Sequence, residues 1–144
     1  MRHKLKNYQL YLQRIELYAQ VLDVGIEYRV HPQDGAFVPT RRKVVIDPDL
    51  SETDTLATLL HELGHFLDDT ILRDNPSMGK LSEAYYAVYG DKYTNSQLEI
   101  VVKCEERAWD YGEVIAKQLK IKLGKWYTDN KKDAIRSYRT TKKT

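Results

Sequence analysis

The sequence predicts an α+β domain, mostly helical, with a small twisted β-sheet packed on one of the helices. Three observations lead there. Apolar residues recur at steps of three and four over long stretches. Only two short runs read as strands, both in the first third. Turn clusters, rather than Ser/Gly/Pro linkers, separate the segments. The 144 residues therefore form one domain, 1–144, with a basic C-terminal helix and tail over about 125–144. A chain of this length buries roughly 70% of its unfolded surface, so a core forms without disulfides.

The elements follow in order. Leu5, Tyr8, Leu12, Ile15, Ala19 and Leu22 make the stripe of an amphipathic helix, which Asp23 to Gly25 ends. Ile26, Tyr28 and Val30 alternate as a half-buried strand, and His31 to Gly35 is turn chemistry. A second strand runs around Lys43 to Ile46, stopped by Asp47-Pro48. Ser51 with Asp54 is a variant capping box ahead of a helix over about 52–69, with Leu56, Leu60, Leu63 and Leu67 inward. The stretch 74–79 breaks the chain, and Ala84 to Tyr89 form a short helix. Ser96 and Glu99 spell a capping box for a long helix to about Leu119. Its inward stripe is Leu98, Val101, Val102, Glu105, Ala108, Gly112, Ile115, Ala116 and Leu119. Gly124 closes that region, and Thr128 or Asp129 caps a final helix to about Arg139, leaving the last five residues frayed.

Composition excludes several classes. A single cysteine makes no internal bridge, so a small disulfide scaffold is out and a reducing, cytoplasmic setting is expected. The basic N-terminus lacks an apolar signal core, and no apolar run approaches the ~20 residues that span a bilayer. The net charge of +2 conceals basic ends: residues 1–43 carry eight Lys/Arg against four Asp/Glu, and 125–144 carry seven against two. The ends thus offer weak contact with nucleic acid or an acidic protein, through Lys131, Lys132, Arg136, Arg139, Lys142 and Lys143.

The chemistry is concentrated in His61-Glu62-Leu63-Gly64-His65. Four residues are slightly more than a helical turn, so the two imidazoles leave on one face and are spaced to share a tetrahedral Zn²⁺ at about 2.0–2.1 Å. Glu62 lies about 100° round the helix, off the ligand face but within reach of a water, where a general base belongs. No histidine follows His65, so a downstream third ligand is a carboxylate. Glu105 shares the inward stripe of the long helix, where an unpaired acid is costly, and is the first choice. Glu106, about 100° from that stripe, is the rival. Candidate donors to a substrate oxyanion are Tyr85, Tyr86, Tyr89, Tyr93 and His31. Asp68, Asp69 and Asp110 are candidates to hold the ligand histidines. Gly64 suggests a closely approaching backbone.

The run from Thr55 to Leu67 resembles the zincin metallopeptidases. It is most similar to the ImmA/IrrE-type family, in which His-Glu-Leu-Gly-His is followed downstream by a ligand Glu with Ala three residues later. Glu105 and Ala108 match that pattern, whereas Trp109 stands where the family usually has Asn or Asp. The resemblance implies a zincin-like domain binding zinc through His61, His65 and Glu105, with Glu62 as catalytic base cutting a protein or peptide substrate. A small version of this kind fits a phage or mobile-element protein. The other reading is a zinc-containing regulatory or binding module without turnover.

Overall fold

The structure, a computed structural model, describes residues 5–30, 36–38, 42–72 and 78–141. In chain order these form α1 (Tyr8–Val21), β1 (Gly25–Tyr28), β2 (Ala36–Val38), β3 (Lys43–Ile46), α2 (Glu52–Leu72), α3 (Met78–Tyr89), α4 (Asn95–Gln118) and α5 (Lys125–Thr141). The mostly helical α+β class is the one observed. No helix among the described residues is long and apolar enough to cross a membrane. The turn expected at 31–35 and most of the break at 74–79 lie outside the described residues. Met78 and Gly79, however, already belong to α3, which is longer than the short helix expected from Ala84.

The sheet has three strands rather than two. β3 is central, parallel to β1 with Gly25 opposite Lys43 and Tyr28 opposite Ile46, and antiparallel to β2 with Ala36 opposite Val45. Paired on both edges and lying on α2, β3 buries Val44, Val45 and Ile46 in succession. β2 was not anticipated, because a run of three residues is too short to show a period. The edge strand β1 departs from the expected alternation. It ends at Tyr28, and both Tyr28 and Val30 face solvent.

α2 runs through the middle of the molecule. Ser51 Oγ accepts from the Asp54 amide at 3.2 Å, the expected cap, and Glu52 Oε1 accepts the Leu5 amide at 2.9 Å, tying the chain before α1 to the start of α2. The leucine stripe is too narrow a description of this helix. Leu56, Ala57, Leu59, Leu60 and Leu63 are all fully buried, because α1 and the sheet cover one side while α4 and α5 cover another. α1 contributes Tyr11, Ile15 and Ala19 to the same core.

The cap of α4 lies two residues before the expected one. Thr94 Oγ1 accepts from Gln97 N at 3.1 Å and Gln97 Oε1 accepts from Thr94 N at 2.9 Å, a reciprocal box. Glu99, freed from capping, pairs with Arg139 at 2.6 Å and holds the end of α5 to the start of α4. α5 likewise starts early, at Lys125. Its first turn is fixed by Tyr127, fully buried with its hydroxyl donating to the Trp109 carbonyl at 2.6 Å. Thr128, expected to cap, instead donates to the Lys125 carbonyl within the helix.

The α2–α4 contact is a backbone approach. A Cβ on Gly64 would collide with the Ala108 carbonyl, and one on Gly112 would meet Tyr127 Oη and lie 3.0 Å from the Leu60 carbonyl oxygen. Gly64 and Gly112 each fill a position that any side chain would wedge open. Alanine raises helix propensity by up to ~1 kcal/mol at an exposed position. Gly64→Ala is nevertheless expected to destabilise the protein by about 1–3 kcal/mol, the usual cost of overpacking, as measured by urea denaturation. Neutral or raised stability would show that the helices are not held apart by that atom.

Candidate metal centre

Close approach of the two helices assembles the site. α2 presents His61 and His65 one turn apart, with ring centroids 4.6 Å apart, toward the face of α4 that carries Glu105. Glu105 Oε1 lies 3.2 Å from His61 Nε2, and Oε2 lies 2.9 Å from His65 Nε2. One ligand atom from each residue falls within 4.8 Å of the others, and all three residues are buried, so the cluster could hold a metal ion. The carboxylate on the apolar stripe is thus Glu105. Glu106 is only half-buried and belongs to no such cluster among the described residues.

The donor set passes a test of fit. His61 Nε2 is buried and within ion-pair reach of Glu105, yet it has no aligned hydrogen-bond partner. A buried polar atom without a partner is costly, and a cation between the imidazoles and the carboxylate would satisfy it. On the other side of the ring, His61 Nδ1 lies 3.2 Å from Glu62 Oε1. A hydrogen on Nδ1 directed at that acid leaves the Nε2 lone pair turned toward Glu105. Trp109 stacks on the same imidazole at 4.3 Å and 15°, restricting its tilt. Trp109 thus packs on a site histidine.

Electrostatics bind the cluster without metal. Burial works against a charged His61, but Glu62 and Glu105 outweigh it and lift the imidazole from 6.5 to about 10. Burial likewise works against ionised Glu105, and the charges and hydrogen bonds of His65 and His61 outweigh it, holding the carboxyl far below the usual range. The metal-free site is therefore an ion pair inside the protein.

The supporting residues sort differently from the expectations. Asp68 does reach the neighbourhood of the site, but its oxygens go to Arg107 Nε at 3.0 Å and Cys104 Sγ at 3.4 Å. Asp110 pairs at the surface with Lys131. The side chain of Asp69 and all of His31 lie outside the described residues. Of the tyrosines, Tyr85 donates to Glu105 Oε2 at 2.6 Å. Tyr86 points to solvent, Tyr93 packs with Ala84 and Val101 in a satellite cluster, and Tyr89 shares a 3.2 Å contact with the Tyr138 hydroxyl. Burial, followed by the charge on Glu105, pushes the Tyr138 hydroxyl up, which places the end of α5 within reach of the site's field. No sequence spacing could single out Tyr85, because its partner is twenty residues away on another helix. Along α5, Lys131 and Arg139 are engaged in ion pairs, whereas Lys132 and Arg136 are exposed. Lys142 and Lys143 lie outside the described residues.

Comparison with protein-family models, curated proteins and solved structures returned no match to this chain.

The raised His61 sets a sign for pH dependence. Between about 6.5 and about 10 the folded, metal-free chain holds a proton that the unfolded chain has released. The contribution of His61 to stability is thus full below 6.5 and declines as pH rises through that window. Metal uptake must expel the same proton, so metal affinity should climb over the same interval. Urea denaturation in chelator at pH 7 and pH 9, beside metal titrations at both, checks the two opposed trends; flat profiles would contradict the buried ion pair.

Proposed function

We propose that the chain is a zincin-type zinc metallopeptidase, of the kind represented by the ImmA/IrrE-type family, that hydrolyses a peptide bond in a cytoplasmic protein substrate. The observation that carries this reading is the meeting of His61 and His65 with a carboxylate from a separate helix, with Glu62 next to the first imidazole. Two imidazoles and one carboxylate make the donor set of a catalytic zinc site, which keeps a fourth position open. A purely structural zinc site has no use for an acid beside its ligands.

Zinc held there supplies Lewis acidity, acidifying a water and polarising the scissile carbonyl. The chain's own groups supply the rest. His61 and His65 offer neutral nitrogen lone pairs, and Glu105 brings the compensating negative charge. Glu62 accepts a proton from the attacking water and returns it to the amine nitrogen as the C–N bond breaks. Glu62 is only 5% exposed, so its carboxylate works in a medium of low dielectric where charge is felt strongly.

Glu62→Gln separates chemistry from metal binding. The variant is expected to bind zinc one-to-one while proteolysis falls by about 10²–10⁴-fold or more. Digestion of a mixture of unfolded proteins, read by mass spectrometry with and without chelator, measures it. If zinc-loaded wild type cleaves nothing, or Glu62→Gln cleaves as well as wild type, the peptidase reading is wrong.

A further inference from the structure

Four side chains lie beside the metal-binding cluster: Tyr85 bonds Glu105, while Cys104 and Arg107 both bond the buried Asp68. Arg107 Nε donates to Asp68 Oδ1 at 3.0 Å, and Cys104 Sγ donates to Asp68 Oδ2 at 3.4 Å. The Tyr85 hydroxyl donates to Glu105 Oε2 at 2.6 Å. We propose that Tyr85 is a positioning residue for the metal centre: its hydroxyl fixes Glu105 in the pose in which that carboxylate serves as a ligand. This rests on the reading of His61, His65 and Glu105 as the metal site.

Proton accounting supports the assignment. Ionised Asp68 and Glu105 can only accept hydrogen bonds. Tyr85 and Cys104 have one hydrogen each. The phenol hydrogen goes to Glu105 and the thiol hydrogen to Asp68, so each buried acid receives one neutral donor and Arg107 completes Asp68 from the surface. The phenolic bond is short, as expected of a hydroxyl on a carboxylate. Because its hydrogen is committed to Glu105, the Tyr85 hydroxyl acts through the ligand rather than on a substrate.

Geometry adds to this. Glu105 has three side-chain torsions, and two imidazoles on α2 approach it from one helix only. Tyr85 comes from α3 and meets the same carboxylate from a third element, leaving it little freedom to swing. A partner that restrains a ligand in this way typically alters metal affinity 10–100-fold when lost. The adjacent Tyr86 is no substitute, since it is 85% exposed on the outer face of α3.

Cobalt titration of the full chain tests the proposal, with affinity and the visible absorption of the loaded protein as readouts. Tyr85→Phe keeps the ring and removes the hydroxyl. It should raise the cobalt dissociation constant about 10–100-fold and alter the absorption bands, while the circular dichroism of the metal-free protein stays as in wild type. Replacing residue 85 with p-aminophenylalanine restores a donor at the same place and should recover most of the affinity and the wild-type bands. Tyr86→Phe should change neither. The proposal is overturned if Tyr85→Phe binds cobalt as tightly as wild type with the same spectrum. It is also overturned if the folded Tyr85→p-aminophenylalanine protein binds cobalt about tenfold or more weakly than wild type, a comparison that holds even if Tyr85→Phe fails to fold. Wild type that takes up neither cobalt nor zinc would instead bring down the metal site itself.

Discussion

The distance between two helix backbones governs this molecule. α2 and α4 meet where Gly64 faces the Ala108 carbonyl and Gly112 faces Leu60, with no side chain between them. Only at that separation can a glutamate on one helix touch two histidines on the other. A helix in isolation gains nothing from glycine, and the conformational cost of Gly64 is recovered only by the tertiary contact. The residue between the two histidines is therefore as much a part of the site as the histidines are. Tyr127 tightens the same junction, filling the space beside Gly112 and tying α5 to the Trp109 carbonyl.

What the close approach creates is an arrangement of charge that burial alone would forbid. An isolated carboxylate or imidazolium in an interior neutralises itself by a shifted pKa. Here Glu105 and His61 each sustain the other's charge, and Glu62 adds a second negative group next to the first ring. Such a site is stable without metal, yet one of its ring nitrogens is left without an aligned partner. Replacing the shared proton by a divalent ion raises the charge of the site by one, against the two carboxylates Glu62 and Glu105, and satisfies that nitrogen. The coupling of proton loss to metal uptake follows from the same two facts.

The surroundings also divide the labour. Trp109 restrains one imidazole by stacking, and Tyr85 restrains the carboxylate by a hydrogen bond. Asp68, which spacing alone made a candidate to hold a histidine, instead accepts from Cys104 and Arg107. α3 and α5 come together over this region through Tyr89 and Tyr138, and the Arg139–Glu99 pair locks α5 onto α4. Water is kept away from groups whose chemistry depends on charge.

Periodicity and capping chemistry sufficed for the presence of the five expected helices and the strand at Lys43 to Ile46, because those signals are local and repeat within one element. The pair of histidines on one face is also local, a consequence of 3.6 residues per turn, and the choice of Glu105 over Glu106 followed from the cost of an acid on an apolar face. The third strand, the earlier starts of α4 and α5 and the outward turn of Tyr28 and Val30 were hidden. Two overlapping capping boxes, Thr94/Gln97 and Ser96/Glu99, are equally good on paper, and the ion pair of Glu99 with the distant Arg139 accompanies the first. Which tyrosine meets Glu105, and which groups meet Asp68, depends on contacts between side chains twenty to forty residues apart. No local pattern encodes these pairings; they exist because the packed helices bring them within bonding distance.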